Sequence, residues 1–204
     1  PYLLSLKSQK GSKSIKFSDG FNREAIMSSF TERMIRAAKL DVNLYEEVEA
    51  DKNAMGQALV VVVLSSVAAG IGTIGTTGIK GLVLGTIVAL AGWFIWAFLT
   101  YYVGTRLLAE PQTKSDYGEL LRTIGFSSSP GVLRVLGIIP ILGNILNFII
   151  GIWMLVAMII AVRQALDYKS TWRAVAVCLI GWIVQIVVFA VFYWLVGGFG
   201  PSQA

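Results

Sequence analysis

Residues 117–139 read YGELLRTIGFSSSPGVLRVLGII, and the fold turns on whether this stretch crosses a membrane. A bilayer core about 30 Å thick takes roughly 20 apolar residues in helix, and the stretch is long enough to supply them. It also carries Glu119, Arg122 and Arg134, and it is interrupted by Ser127, Ser128, Ser129, Pro130 and Gly131. Proline brings no N–H and disturbs the turn before it, and backbone groups freed in hydrocarbon must find partners inside the protein. Three serine hydroxyls stand beside Pro130 to meet that need. At a helical rise of about 1.5 Å per residue, Arg134 falls about 18 Å beyond Arg122, which makes it an intramembrane charge and so a functional candidate.

The flanking sequence supplies the count. Residues 54–74 and 81–104 are free of charge and long enough to span, residues 135–162 carry no charge, and none follows Arg173. Basic residues concentrate on cytoplasmic flanks. With five crossings, nine Lys and Arg of residues 1–53 lie inside, together with Arg106, Lys114, Arg122, Arg163, Lys169 and Arg173, and the outer segments hold only Lys80. With four crossings the last three of these would face outward, against the rule. The sequence therefore predicts an all-α polytopic membrane protein with a cytosolic N-terminus and spans of about 54–74, 81–104, 117–139, 141–162 and 174–196. The third of these is broken at Pro130, and residues 54–204 form the membrane domain. Composition agrees: of 204 residues, 55% are hydrophobic and only 14% charged, against about 25% charged in soluble domains. Tyr101, Tyr102, Trp172, Tyr193 and Trp194 sit where interfacial aromatic belts form, and Trp96, Trp153 and Trp182 are expected to pack between helices.

Residues 1–53 form an arm of different character. Lys7, Lys10, Lys13 and Lys16 lie in a polar stretch with no apolar period, suited to an anionic lipid surface or a partner. No apolar run before Ala54 is long enough for a signal-peptide core, so the arm is expected to stay in the cytosol. Over about residues 23–40 the pattern turns amphipathic, with Ile26, Met27, Phe30, Met34, Ala37, Ala38 and Leu40 on one face. Phe30 and Met34 are thus candidates for contact with a membrane interface or a neighbouring subunit. Asp41, Glu46, Glu47, Glu49 and Asp51 follow, placed as acids favoured near a helix start.

Chemistry-bearing motifs are absent. The chain has no histidine, the commonest metal ligand and general base, and its one cysteine, Cys178, lies in an apolar run. Gly70, Gly72 and Gly75 match the dinucleotide pattern in letters, but they end an apolar span rather than join a strand to a helix. Gly81 and Gly85 have the spacing of close helix packing. No catalytic residue, metal or cofactor is expected, and no nucleic acid. The expected partners are other membrane proteins and lipids.

Gly125 and Phe126, followed by Pro130, resemble the membrane motif of the Ypt/Rab-interacting-protein (Yip) domain family, a glycine and an aromatic before a proline. Leu44 and Tyr45 match part of that family's cytosolic Asp-Leu-Tyr-Gly-Pro motif, with Asn43, Glu46 and Glu47 at the other positions, and the stretch from Leu44 to Gln57 is similar to prokaryotic members. The resemblance covers the chain from about Arg33 onward and implies five spans, no catalysis, and action through protein contacts. In a eukaryote it implies engagement of prenylated small GTPases at the Golgi or endoplasmic reticulum. In a prokaryote, the setting these residues favour, it implies the bacterial or archaeal cytoplasmic membrane. The resulting expectation is an accessory subunit of a membrane complex or a membrane-organisation factor that uses Leu44, Tyr45, Phe30 and Met34, with Gly125, Phe126, Pro130 and Arg134 in the membrane. The alternative is a transporter or lipid-handling protein built on the broken third span.

Overall fold

The computed structural model describes residues 29–139 and 143–195, and every regular element among them is helical. The basic stretch 1–20, residues 23–28 of the amphipathic segment, and the side chains of Tyr193 and Trp194 lie outside the described residues.

Two short helices come first, α1 (residues 29–38) and α2 (Val42–Ala50). The turn between them ends α1 in a Schellman arrangement: Leu40 N donates to Ala37 O at 3.0 Å and Asp41 N to Arg36 O at 3.1 Å, with Leu40 left-handed at φ 63°. Leucine in that position carries a Cβ that glycine lacks, so the conformation is held against a local cost. Asp41 then caps α2 by accepting from Asn43 N at 3.0 Å.

Three helices are long and apolar enough to cross a membrane, Ala54–Gly72, Ile74–Leu107 and Gly143–Ala165. We label them α3 (Ala54–Gly72), α4 (Ile74–Tyr102, running on through a π turn at Val103–Leu107) and α6 (Gly143–Ala165). Helix α7 (Thr171–Leu195) is apolar over its described stretch Thr171–Val187. Between α3 and the long apolar run of α4 lies one helical turn, residues 74–77, set off by Thr73 on one side and by the non-helical Gly78 on the other. The hydroxyls of Thr73, Thr76 and Thr77 donate to Ala69 O and Thr73 O at 2.9–3.1 Å, so the carbonyls at the turn are met without a loop. Gly78, at φ 63° and ψ −174°, kinks α4 in a region open only to glycine.

Between α4 and α6 lie α5 (Tyr117–Ser127) and a 3-10 segment (Ser129–Ile138). A reciprocal capping box starts α5, with Glu119 N donating to Asp116 and Asp116 N to Glu119, each at 2.8 Å. After Ser127 the α-helix gives way, with Pro130 in the first turn of the 3-10 segment. An uninterrupted helix would bond Phe126 O to the N–H of residue 130, which proline lacks, and Ser129 Oγ donates to that oxygen instead at 2.7 Å. Ser127 Oγ donates to Ile124 O, also at 2.7 Å.

This pair of elements runs parallel to α3 along its length. A Cβ built on Gly118 would lie near Met55, one on Gly125 would press on Ala58 at 2.8 Å, one on Gly131 would collide with Ser65 Oγ, and one on Gly137 would touch Gly72. Helix α6 closes over the other side, and α4 and α7 flank the bundle. Large apolar side chains on α4 and α7 face outward, among them Leu84 (62% exposed) and Ile186 (65% exposed). Such extended exposed apolar surface suits a lipid environment.

Candidate functional site

The α1–α2 hairpin is fixed to one end of the bundle through carbonyls that helices ordinarily leave open. The last four C=O groups of any α-helix lack partners within it. For α1, Tyr45 Oη donates to Ala37 O at 3.2 Å and the indole of Trp153, from α6, donates to Ala38 O at 2.7 Å. For α2, Arg122 reaches across from α5, its Nε donating to Val48 O at 2.9 Å and its Nη2 to Glu49 O. Arg122 is 4% exposed, and its charge sits at the negative end of the α2 dipole.

An ionic cluster holds the hairpin to itself and to α3. Arg33 pairs with Glu47 at 2.8 Å and Asp51 at 3.0 Å and also donates to Gln57 at 2.9 Å, and Arg36 pairs with Asp41 at 2.7 Å and Glu47 at 2.6 Å. Partial burial pushes the Glu47 carboxyl up, but the guanidiniums of Arg36 and Arg33 outweigh it and hold it below its usual range. Hydrogen bonding to Arg36 likewise lowers Asp41. Glu49 behaves oppositely: burial, with Glu119, Asp167 and Glu46 nearby, raises its carboxyl to about 8. At the same end of the bundle, Glu110 accepts from Arg173 at 3.1 Å and from Lys169 N at 3.2 Å, joining the α4–α5 and α6–α7 connections.

Leu44 and Tyr45 lie in the core of this docked hairpin, fully buried, and Phe30 and Met34 pack partly buried against the same core. What the hairpin offers outward is Ile35 (50% exposed) and Val42 (43% exposed), with Glu32, Lys39 and Glu46 around them. In the bundle, Gly125 sits at the crossing with Ala58, Phe126 and Pro130 are fully buried, and Arg134 stands beside Gly72 near the far end of α3. The structure thus places Leu44, Tyr45, Phe30 and Met34 at one end, and Gly125, Phe126, Pro130 and Arg134 along the parallel segment. Arg122 joins the two regions, whereas the sequence marks it only as a flanking charge. Its signal is a lone arginine behind Leu120 and Leu121 in an apolar helix.

Among the described residues, no group of three or more His, Cys, Asp or Glu is placed to hold a metal ion. No curated protein and no solved structure matches the chain. A family model described as the Yip1 domain matches residues 43–192, from the first turn of α2 to near the end of α7. That match takes in Arg122, the carbonyls it binds and the whole parallel segment, and the chain belongs to the Yip1 domain family of membrane proteins.

Proposed function

We propose that this protein is a non-catalytic, Yip-type membrane protein that acts through contacts with other membrane proteins and lipids, as an accessory subunit of a larger complex or a membrane-organisation factor. The observation that carries the reading is the rigid seating of α1–α2 by Arg122, Trp153 and the Arg33–Arg36 ion cluster. A platform so fixed presents Ile35 and Val42 to a partner at little ordering cost. The motif residues Leu44 and Tyr45 then act from beneath, by setting its shape.

Five crossings with α1–α2 on the cytosolic side fit this role, α5 and the 3-10 segment together making the third. Two features support it. Laid end to end, 11 α-helical and 10 3-10 residues reach about 36 Å, and the pair runs alongside α3 from Met55 to Gly72. The cytoplasmic membrane of a bacterium or archaeon is the setting we favour. A small GTPase enters as partner only in a eukaryotic setting.

The test is purification of the tagged full chain from its native membrane in mild detergent, with wild type beside Ile35→Asp and Val42→Asp. A membrane protein co-eluting at constant stoichiometry with wild type and lost from both variants is the expected result. Elution of the wild type alone, or a partner retained by both variants, overturns the platform reading. Thiol labelling of single cysteines at Lys80 and Ser170 from the two sides of sealed vesicles tests the crossings, and labelling of both from the same side refutes five.

A further inference from the structure

A cavity of about 480 Å³ lies among α3, α4, the 3-10 segment, α6 and α7. Most of its wall is apolar, including Leu82, Met154 and Trp182, while Arg134, Ser128 and Thr77 add polar groups. No carboxylate among the described residues lines it. Among the described residues, three buried side-chain polar atoms have no hydrogen-bond partner, Trp96 Nε1, Thr100 Oγ1 and Arg134 Nε. Two of the three, on Trp96 and Arg134, belong to residues of this cavity wall. Gly85 and Gly92 also line it, and a Cβ on either would meet nothing within 4 Å. At Gly85, then, the small residue leaves room instead of bringing helices together, and the close approach of α3 and α4 falls at Gly70 against Leu82.

A guanidinium within a membrane protein requires an anion or strong acceptors, and its planar fork of donors suits a carboxylate or a phosphate. Among the described residues the cavity wall supplies only neutral acceptors such as Ser128 and Gln185 and no acid, so the anion that matches Arg134 is a ligand's. The apolar remainder of the wall requires that ligand to bring an apolar portion as well. We propose that the cavity binds an anionic amphiphile drawn from the bilayer, its carboxylate or phosphate head on Arg134 and an acyl chain along α4 past Leu82 toward Trp96. This site is independent of the α1–α2 platform, which lies at the other end of α3.

Native mass spectrometry of the full chain in mild detergent, titrated with oleate, phosphatidylglycerol, phosphatidylcholine or inorganic phosphate, tests the proposal. Two variants accompany it: Arg134→Gln removes the charge, and Gly85→Leu fills the empty volume, with helicity and melting midpoint measured for each. At least tenfold tighter binding of oleate or phosphatidylglycerol than of phosphatidylcholine is expected. The preference should fall below threefold in Arg134→Gln, and binding should weaken at least tenfold in a folded Gly85→Leu. Preference for oleate over phosphatidylglycerol identifies a free carboxylate head, and the reverse a phosphodiester. Equal binding of phosphatidylcholine, unaltered preference in Arg134→Gln, or retention of inorganic phosphate without lipid overturns it.

Discussion

Replacing Arg122 by leucine should release α2 from the bundle while leaving the bundle folded. Leucine keeps much of the side-chain volume but removes the donors to Val48 O and Glu49 O. Hydrogen bonds from a charged group contribute about 1.5–3 kcal/mol each, and favourable charge at a helix end adds about 0.3–1 kcal/mol. The Glu49 carbonyl is partly buried, so water recovers part of the loss, and the net cost should be about 3 kcal/mol. At about 1.4 kcal/mol per factor of ten, opening of α2 should rise roughly a hundredfold. Amide hydrogen exchange in detergent reads this directly as faster exchange over residues 42–50, with α3 and α6 little changed. Arg122→Lys, which can keep one donor in place, should show about half the free-energy effect. An acceleration below threefold, or one spread evenly over α2, α3 and α6, would refute the assignment of Arg122 as the residue that seats the hairpin.

Two glycines test the packing in opposite directions. Gly125→Ala places a methyl at 2.8–3.2 Å from Ala58, including its backbone, and should lower stability by about 1–3 kcal/mol. Gly85→Ala meets nothing and should be neutral or stabilising by up to about 1 kcal/mol. Melting midpoints that fall equally for both would show the crossing to be misplaced. Ser129→Ala leaves Phe126 O without its donor and should cost about 1–3 kcal/mol, whereas in Pro130→Ala the restored N–H can bond that oxygen, so Ser129→Ala in that background should cost measurably less. Glu49 gives a pH signature. Its folded carboxyl titrates near 8, well above the ordinary 4.5, so the folded state holds a proton that the unfolded chain has released. Stability from this group is complete below about 4.5 and is lost as pH rises toward 8. Glu49→Gln should therefore gain on wild type in melting midpoint from pH 5 to pH 8, and a constant difference would exclude the shift.

The long apolar helices are legible because composition alone dictates them: α3, α4 and α6 are apolar all round, and no soluble core calls for that. The role of the serines beside Pro130 could be read for a similar reason, since the group proline lacks and the groups that replace it are neighbours in sequence. What could not be read is contact between a side chain and a distant backbone carbonyl. Arg122 and Val48 are 74 residues apart, and Trp153 and Ala38 are 115 apart. A carbonyl carries no residue identity, so no pattern of letters marks it as an acceptor. The threonines and glycines between Thr73 and Lys80 mark an interruption, and one is present as the single turn 74–77 ended by Gly78, but that its hydroxyls bond back to Ala69 O and Thr73 O is not written in the letters. The acids of residues 41–51 suggested a helix dipole, but three of them, Asp41, Glu47 and Asp51, bind the arginines of α1. That pairing depends on the turn at Leu40, a residue with no turn propensity. Of the three tryptophans expected between helices, Trp96 is buried and Trp153 reaches Ala38, but Trp182 is 47% exposed and borders the cavity.

The irregular segment and the seated hairpin are parts of one arrangement. A 3-10 stretch with a proline and an arginine is poorly suited to face lipid, because hydrocarbon offers no partner for a displaced N–H or C=O. Here α3 covers it along one side and α6 along another, and small residues at Gly125 and Gly131 let α3 come within contact of its backbone. Close contact on two sides leaves α5 little freedom to slide or rotate. Its first turns then carry Arg122 at a fixed height, where the guanidinium meets the end of α2, and Trp93 of α4 binds the adjoining Leu121 carbonyl at 3.1 Å. The far end of the same segment carries Arg134 to the cavity. One element held between α3 and α6 thus sets the height of both arginines, Arg122 at one end of α3 and Arg134 near the other.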